Sequence, residues 1–362
     1  MGATPAVELV GVSKRYGPVD ALKPTSLVVD AGAYYVLLGP SGGGKTTTLR
    51  LIGGLARPSG GRVLLDGQDV TALPANKRNT SMVFQSYALF PHMNVAQNVA
   101  YGLKLRKLDR AEVHDRVQSM LQLVGLRGFD ARMPHELSGG QQQRVQLARS
   151  LVLETAILLL DEPLAALDAK LRKSMCLELK HIQERVGITF LHVTHNQEEA
   201  MTIADRIAVI AHGELVEHGT AREIYERPRR RFTADFIGES TLLEGTVESV
   251  QEDFVLVDVG CASVRTPARG HTVAVGQAVC VSVRSELARI EREGPAVGGV
   301  ESVPATFVEQ VYVGFSVSAL VRLANGEEAA SRTLAGGARE SWSAGEQVRF
   351  SWATGDGRLH VG

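Results

Sequence analysis

Up to about residue 235, strand-length apolar runs alternate with longer amphipathic stretches. The runs are YYVLLGP (34–40), TAILLLDEP (155–163), ITFLHVTH (188–195) and RIAVIAHG (206–213). Their continuously apolar centres are typical of strands buried on both faces of a parallel sheet. The stretches between them have the length and spacing of amphipathic helices. This alternation predicts an α/β domain on a largely parallel sheet.

From about residue 242 onward, the pattern changes to short strands without helices. Asn325-Gly326 between two such strands is a strong hairpin signal. AVGQAVCVSV (274–283) and SAGEQVRFSW (343–352) share one layout, and each follows a similar strand, GTVESV or ATFVEQV. These repeats predict two copies of a small barrel-like β unit. We place the domain boundary after residue 238, giving an α/β domain at 1–238 and a β domain at 239–362.

Length and charge narrow the possible functions. A chain of 362 residues is too long for one core, and it predicts two or three domains. The 39 Lys and Arg nearly balance the 40 Asp and Glu, so the chain has no global field that would hold nucleic acid. The arginine run in ERPRRRFTADFIG (226–238) has no interleaved aromatics, which favours a solvated linker.

The cysteines, the N-terminus and the apolar runs indicate the cellular compartment of the chain. Cys176, Cys261 and Cys280 are widely spaced, which favours reduced cysteines in a cytoplasmic protein over a disulfide or zinc framework. The N-terminus lacks the layout of a signal peptide, and no run of about 18 apolar residues occurs. We therefore expect a chain that does not itself cross a membrane.

Residues 39–46, GPSGGGKT, match the phosphate-binding pattern G-x-x-x-x-G-K-[ST] between an apolar strand and a helix. In such a loop, successive backbone N–H groups point at phosphate oxygens. Lys45 is then expected to reach the β- and γ-phosphates, and the Thr46 hydroxyl to bind Mg²⁺. The alternative, a glycine-rich turn without a ligand, does not account for the strand–loop–helix context.

The strand ending at Asp161 and Glu162 is the second candidate part of the site. Asp161 at the carboxyl edge of the sheet can hold magnesium, and Glu162 is the natural general base for an attacking water. The alternative is a strand-end acid beside a proline turn. His195 also follows an apolar strand, which favours a γ-phosphate contact. His192, inside that strand, is interpreted as structural.

LSGGQ (137–141) opens a helix whose first turn is rich in amides. Ser138 and Gln141 have the spacing of a capping box, in which each side chain satisfies a free N–H of the other residue. Capping leaves Gly139 and Gly140 unexplained, because glycine weakens a helix start unless something approaches the backbone closely. An anion at the positive end of the helix is the usual reason.

Together these segments resemble, nearly end to end, the nucleotide-binding subunit of an ATP-binding cassette (ABC) transporter. Residues 39–46 are similar to its Walker A motif, 157–162 to Walker B, Gln85 in MVFQSYALFPHMNVAQNVAYGL to the Q-loop, and LAALD (164–168) to the D-loop. The implied fold is an α/β P-loop NTPase, an ABC cassette with a helical subdomain at about 87–150, followed by an all-β OB-like TOBE domain. ATP and Mg²⁺ are the implied cofactors.

The resemblance also implies a role for each matched residue. The catalytic residues would be Glu162, His195 as switch histidine, and Lys45. ATP would be bound by Tyr16, stacking on adenine, and by Gly39, Pro40, Ser41, Gly42, Gly43, Gly44, Lys45, Thr46, Thr47 and Gln85. Mg²⁺ would be held by Thr46, Gln85 and Asp161. The ATP of a partner subunit would be contacted by Ser138, Gly139, Gly140, Gln141 and Asp168.

Two positions depart from the family pattern. Ala165 stands in the D-loop where relatives often have Ser, which removes a hydroxyl that could act across the dimer interface. Gly43 stands where Cys, Ser or Ala is commoner, and it adds flexibility without removing backbone phosphate contacts. Every position with a direct chemical task is retained.

The resemblance also indicates which solute and which partner proteins to expect. FIGES with LLEG is similar to importer ATPases that serve polyamines, with ferric iron or another small charged solute as the alternative. The implied assembly is a head-to-tail homodimer on the cytoplasmic face of the inner membrane, bound to permease subunits and serving a solute-binding protein indirectly. A soluble ABC ATPase acting on DNA or ribosomes is the competing class. For the β domain, a dimer-stabilising role is favoured over a ligand sensor.

Overall fold

A computed structural model describes residues 4–85, 89–292, 294, 298–336 and 341–361. The chain divides into two compact units, residues 1–222 and 223–362. The predicted boundary after residue 238 therefore falls inside the second unit, and its assignment as a domain limit stays a prediction. Within the described ranges, no helix is long and apolar enough to span a bilayer.

The first unit contains ten strands and six helices among its described residues. The strands are β1 (Val7–Tyr16), β2 (Val19–Val29), β3 (Tyr34–Leu38), β4 (Gly60–Leu65), β5 (Gln68–Asp69), β6 (Thr80–Val83), β7 (Ile157–Asp161), β8 (Thr189–Thr194), β9 (Arg206–Ala211) and β10 (Glu214–Thr220). The helices are α1 (Lys45–Ile52), α2 (Val95–Leu105), α3 (Arg110–Leu123), α4 (Gly139–Leu151), α5 (Ala169–Val186) and α6 (Gln197–Ile203). Short 3₁₀ turns occur at Ala75–Lys77 and Pro134–Glu136.

A six-stranded sheet in the order β10-β9-β3-β8-β7-β6 forms the centre of this unit. Its strands from β9 to β6 pair in parallel, and only β10 pairs antiparallel, with β9. The residues of β3 and β7 are all buried, which matches their continuously apolar sequence. A four-stranded antiparallel sheet, β2-β1-β4-β5, accompanies it. The predicted α/β fold with a largely parallel sheet is confirmed.

The predicted helical subdomain, at about 87–150, begins outside the described residues, at 87 and 88. Its described part contains α2, α3 and nearly all of α4. An Asn94 capping box starts α2, and the Asp109 carboxylate accepts hydrogen bonds at the start of α3. These local signals explain why helices begin there. The limits of the subdomain stay a prediction.

The second unit starts within α7 (Ala221–Glu226). Its other elements are α8 (Arg231–Phe236), β11 (Ser240–Val250), β12 (Phe254–Asp258), β13 (Ser263–Pro267), β14 (Ala278–Arg284), β15 (Arg289–Glu291), β16 (Val300–Tyr312), β17 (Ser316–Leu323), β18 (Glu328–Leu334), β19 (Gln347–Ala353), a 3₁₀ turn at Thr354–Asp356 and β20 (Arg358–Val361). They form two five-stranded sheets, β13-β12-β11-β14-β20 and β15-β19-β16-β17-β18. All of the pairings are antiparallel.

The two sequence repeats take up equivalent places in this unit. β11 pairs with β12 and β14, and β16 pairs in the same way with β17 and β19. The N–H of Val247 donates to Gln277 O at 3.0 Å, and the N–H of Phe307 donates to Glu346 O at 2.9 Å. Asn325-Gly326 lies in the hairpin between β17 and β18, with Gly326 at a φ of 93°. The predicted repeat and hairpin are both confirmed.

His360 gives the second unit a testable dependence on pH. The side chain is buried and its Nε2 lies 2.8 Å from the Ser282 hydroxyl. Burial lowers the pKa of His360 to about 4. In the unfolded chain the same imidazole titrates near 6.5. Between these values the unfolded state binds the extra proton, so the free energy of unfolding falls as pH drops from about 6.5 to about 4.

We expect His360 to lower the free energy of unfolding by about 1.4 kcal/mol for each unit by which the pH falls within that window. Trp342 and Trp352 are the chain's two tryptophans, and both lie in the second unit. Urea unfolding followed by tryptophan fluorescence at pH 7 and pH 5 therefore reports on this unit. The stability difference between the two pH values should shrink in His360→Gln. An undiminished difference in the variant would contradict the assignment.

Candidate nucleotide-binding and hydrolysis site

The predicted phosphate-binding loop joins the buried strand β3 to helix α1 and is held close to neighbouring backbone. A Cβ on Gly39 would lie 1.9 Å from the carbonyl oxygen of Ile210, in β9. Gly44 has a φ of 108°, and a Cβ there would lie 2.7 Å from Ala21 O. Only glycine fits both positions, the first for lack of space and the second also for its dihedral. The loop backbone is therefore fixed in place before helix α1 begins.

Gly43 also lies against β9. A Cβ on this residue would approach Ile210 O to 2.8 Å and Pro40 O to 3.0 Å. Sequence alone indicated added flexibility at this position. The structure shows a close backbone approach, which gives glycine a packing reason here.

Lys45 lies at the start of α1 with its ammonium directed at the loop. Its Nζ donates to the carbonyl oxygens of Gly39 and Pro40, each at 2.8 Å. Burial lowers the pKa of Lys45, while the nearby Glu162 and Asp161 act in the opposite direction. A compact, partly desolvated ammonium at such a loop can donate a charge-assisted hydrogen bond to a phosphate oxygen.

Thr46 and Asp161 meet at the carboxyl edge of the parallel sheet. The Thr46 hydroxyl donates to Asp161 Oδ1 at 2.9 Å. Burial raises the pKa of Asp161, and the hydrogen bond from Thr46 works against that shift. A hydroxyl and a carboxylate are the hard oxygen ligands that Mg²⁺ takes together with substrate phosphates. These two residues therefore fit the predicted magnesium site.

Glu162 lies between two other predicted site residues. Its Oε1 is 3.2 Å from His195 Nδ1, and its Oε2 accepts a hydrogen bond from Gln85 Nε2 at 3.4 Å. Glu162 has a φ of 45°, a left-handed conformation that costs energy for a residue with a side chain. Its N–H donates to Val193 O in β8 at 3.0 Å, which helps to hold the backbone there. The carboxylate is thus brought to the end of the sheet where the phosphate-binding loop also lies.

A second carboxylate, Glu199 in α6, links the loops that follow β7 and β8. It is almost fully buried, and its Oε2 accepts a hydrogen bond from the Thr194 hydroxyl at 2.7 Å. Its Oε1 lies 3.4 Å from Arg172 Nε, in α5. Arg172 also donates to the carbonyl oxygens of Leu164 and Leu167, at 3.4 and 2.8 Å.

This network of contacts links the D-loop segment 164–168 to Thr194, the residue before His195. Sequence reasoning missed it, because nothing in the separate segments LDAKLR and HNQEEA indicates that Arg172 and Glu199 meet. Arg172 touches no reacting group, so we regard it as a positioning residue. Its expected effect is on the placement of His195 and the D-loop.

Replacing Arg172 with Gln should lower kcat for ATP by about tenfold, since misplacing a group that acts on the transition state costs rate. The KM for ATP should stay unchanged, because Arg172 makes no contact with the phosphate-binding loop. Steady-state kinetics of Arg172→Gln beside Lys173→Gln, an exposed neighbour, tests this. A variant with a raised KM and an unchanged kcat would contradict a positioning role.

The remaining predicted residues have local roles in this chain. The capping box of Ser138 and Gln141 is confirmed at the start of α4, with Gln141 Oε1 accepting from Ser138 N at 3.0 Å. Gly140 is buried, and a Cβ there would lie 3.3 Å from Leu171. The Asp168 carboxylate caps α5, accepting from Leu171 N at 2.9 Å. The structure does not join these residues to the loop at 39–46, and their predicted contact with a partner's ATP stays a prediction.

Tyr16 and His192 make no hydrogen bond with Glu162 among the described residues, although His192 Nε2 lies 3.8 Å from Glu199 Oε2. The Tyr16 ring is half-exposed, and Lys14 Nζ lies 4.7 Å from its centroid. His192 is completely buried in β8, 3.0 Å from the Tyr34 hydroxyl, and burial lowers its pKa to about 3. The structural interpretation of His192 is confirmed. Among the other loop residues, Ser41 and Gly42 are exposed and Thr47 is half-buried.

The geometry agrees with comparisons to known proteins. The family described as ABC transporter matches residues 22–165, and the family described as TOBE domain matches residues 281–359. The chain belongs to the family of ATP-binding proteins of ABC transporters. It is 45% identical over 353 residues to the spermidine/putrescine import ATP-binding protein PotA of Rubrobacter xylanophilus, covering 97% of this chain and 92% of that protein.

Other relatives and solved structures agree on the family. The Fe(3+) ions import ATP-binding protein FbpC of Agrobacterium fabrum is 50% identical over 265 residues, 73% of this chain and 75% of that one. The structure of cbiO1 from Clostridium perfringens, part of the ABC transporter complex cbiONQ, aligns with a TM-score of 0.58 and 28% identity over 61% of this chain and 90% of that chain. A dimeric ATP-binding cassette in a post-hydrolysis state with ADP and Pi aligns with a TM-score of 0.54 and 32% identity. The alignment covers 60% of this chain and 99% of that chain. The P-loop NTPase fold and the TOBE domain are thereby confirmed.

Proposed function

We propose that this chain is the ATP-hydrolysing subunit of an importer of polyamines, such as spermidine or putrescine. The observation that supports this choice most is the extent of the match to a spermidine/putrescine import ATP-binding protein, which includes the β-rich second unit. Several further relatives with that name match over 88–97% of the chain. The site around Glu162 supplies the chemistry that such a subunit needs.

The residues of the site have distinct tasks in this proposal. The loop 39–46 binds the ATP phosphates, with Lys45 donating to the β- and γ-phosphates and Tyr16 stacking on adenine. When bound, Mg²⁺ would neutralise phosphate charge beside Thr46, Asp161 and Gln85. Glu162 takes a proton from the attacking water as general base. His195, whose Nδ1 lies 3.2 Å from Glu162 Oε1, contacts the γ-phosphate.

The proposal includes a second copy of the chain and a membrane partner. Ser138, Gly139, Gly140, Gln141 and Asp168 of one copy would close over the ATP held by the loop 39–46 of the other. The dimeric cassette solved with ADP and Pi supports such an arrangement. ATP-driven closure would be transmitted to permease subunits through the segment from Gln85 to Tyr101, of which residues 86–88 lie outside the described part. The subunit would lie peripherally on the cytoplasmic face of the inner membrane, without nucleic acid, and would serve a solute-binding protein through the permease.

Ferric iron is the second candidate solute. The ferric-ion relative is somewhat more identical, at 50%, but its match covers only 73% of the chain. Polyamine relatives match through the second unit as well, which is why we place polyamines first. A soluble ABC ATPase acting on DNA or ribosomes would differ in its partners, which the same experiment separates.

Affinity purification of tagged Glu162→Gln from its host in detergent with ATP, followed by mass spectrometry, tests the partner class. We expect an integral membrane permease to be recovered, because the variant should keep ATP and stay in the closed dimer. Lys45→Ala, which should lose ATP, is the matched control and should recover less permease. Recovery of ribosomal or DNA-repair proteins without a permease would reject the importer.

A further inference from the structure

A cavity of about 390 Å³ lies within the second unit, away from the phosphate-binding loop in sequence. Its charged lining comes from three separate segments, which are α7 with the stretch after it, the turn after β13 and the start of β20. The charged and titratable residues that line it are Glu223, Arg227, Arg229, Arg269, His271 and Arg358. Four guanidinium groups and one carboxylate thus line a single open cavity. Arg227 and Arg229 belong to the segment 226–238, which the sequence pattern predicted to be a solvated linker.

Three of these arginines form no ion pair with a carboxylate in the part of the chain that the structure describes. Among the ion pairs of the described residues, none involves Arg227, Arg269 or Arg358. Desolvation by burial lowers the pKa of Arg358, and Arg269 and Arg227 lower it further, whereas the nearby Asp356 and Glu226 act in the opposite direction. Arg227 and Arg269 therefore repel the Arg358 guanidinium, and an anion bound between these groups would weaken that repulsion.

Two of the guanidinium groups are held in place by backbone carbonyls. Arg269 Nη2 and Arg358 Nη1 both donate to Gly355 O, at 2.8 and 2.7 Å. Arg358 Nε also donates to Glu226 O at 3.1 Å. Each group keeps further N–H donors that these bonds do not use, since guanidinium has five. Donors fixed in advance bind an anion with less loss of side-chain entropy.

We propose that this cavity binds a multiply charged anion through its phosphate groups. A ligand with a single carboxylate group would compensate less of the positive charge than a phosphate group, which has nearly two negative charges. Phosphate also pairs with guanidinium in a bidentate manner. Exposed Arg227, Arg229 and Arg269 form the open rim, and half-buried Arg358 lies deeper. The site is separate from the ATP site and gives the second unit a ligand of its own.

The test is calorimetric titration of pyrophosphate into the full-length Lys45→Ala protein, in which the phosphate-binding loop is impaired. We expect saturable binding that weakens by about tenfold or more in the same protein with Arg269→Gln and Arg358→Gln added. Arg289→Gln, an exposed arginine elsewhere in the second unit, is the matched control and should leave binding unchanged. The tryptophan fluorescence of each variant checks that the second unit is folded.

The phosphate groups can belong to a free anion or to a lipid headgroup, so the same proteins are also sedimented with phosphatidylglycerol vesicles. Pyrophosphate binding without sedimentation identifies a free anion, and sedimentation that depends on Arg269 and Arg358 identifies a headgroup. Either result supports a phosphate site. No binding of either probe to Lys45→Ala, or binding that the paired arginine substitutions leave unchanged, would overturn it. Neither outcome bears on the proposed transport function, which depends on the loop at 39–46.

Discussion

Replacing Glu162 with Gln should lower ATP turnover by about a hundredfold or more, because a positioned general base contributes rate factors of that size. ATP binding should be retained, since the loop at 39–46 is unchanged and glutamine preserves the shape of the side chain. The left-handed backbone at Glu162 and its contacts with His195 and Gln85 hold this carboxylate at one place. Steady-state phosphate release and equilibrium binding of labelled ATP measure the two quantities separately.

Glu198→Gln is the matched control for this substitution. Glu198 is an exposed carboxylate, 3.8 Å from Lys173 Nζ, and it has no contact with Glu162. We expect its turnover to equal that of the unmodified protein. Turnover in Glu162→Gln that remained within a few-fold of the control would remove Glu162 from the role of base.

Replacing Lys45 with Ala should weaken ATP binding by about a hundredfold, as expected for the loss of charge-assisted hydrogen bonds worth about 1.5–3 kcal/mol each. The ammonium is buried at the loop and already donates to two carbonyl oxygens, so its position is suited to phosphate oxygens. Binding of labelled ATP by equilibrium dialysis measures the effect.

Lys173→Ala, at an exposed lysine outside the loop, should bind ATP as the unmodified protein does. Because both tryptophans lie in the second unit, folding of the first unit has to be checked by circular dichroism. A folded Lys45→Ala protein with unchanged ATP affinity would contradict the assignment of 39–46 as the phosphate-binding loop.

The sequence was sufficient for the fold of each part and for the centre of the site. Continuously apolar strands such as 157–161 predict a parallel sheet, and the carboxyl ends of such strands lie at one edge. Asp161 and Glu162 stand at the end of one such strand and His195 follows another, so their proximity could be expected from the strand pattern. The repeat of the β units was also visible, because alternation of apolar positions determines which strand faces pack.

Contacts between distant polar residues could not be predicted in this way. Arg172 and Glu199 lie on different helices, and their meeting depends on how α5 and α6 pack, which no local pattern specifies. The same holds for Arg227, Arg269 and Arg358, which three separate segments of the chain bring to one cavity. At Gly43 the sequence indicated freedom, whereas the close approach to Ile210 O depends on a strand far along the chain.

The most direct measurement is uptake of labelled spermidine by cells that lack the chromosomal copy of this chain and express it from a plasmid. The account predicts that the unmodified protein restores uptake, that Glu162→Gln does not, and that labelled ferric iron uptake is the same in all strains. Restored iron uptake with unchanged spermidine uptake would contradict the choice of solute. Unchanged uptake of both solutes, with the protein expressed and hydrolysing ATP, would contradict the role proposed for this chain.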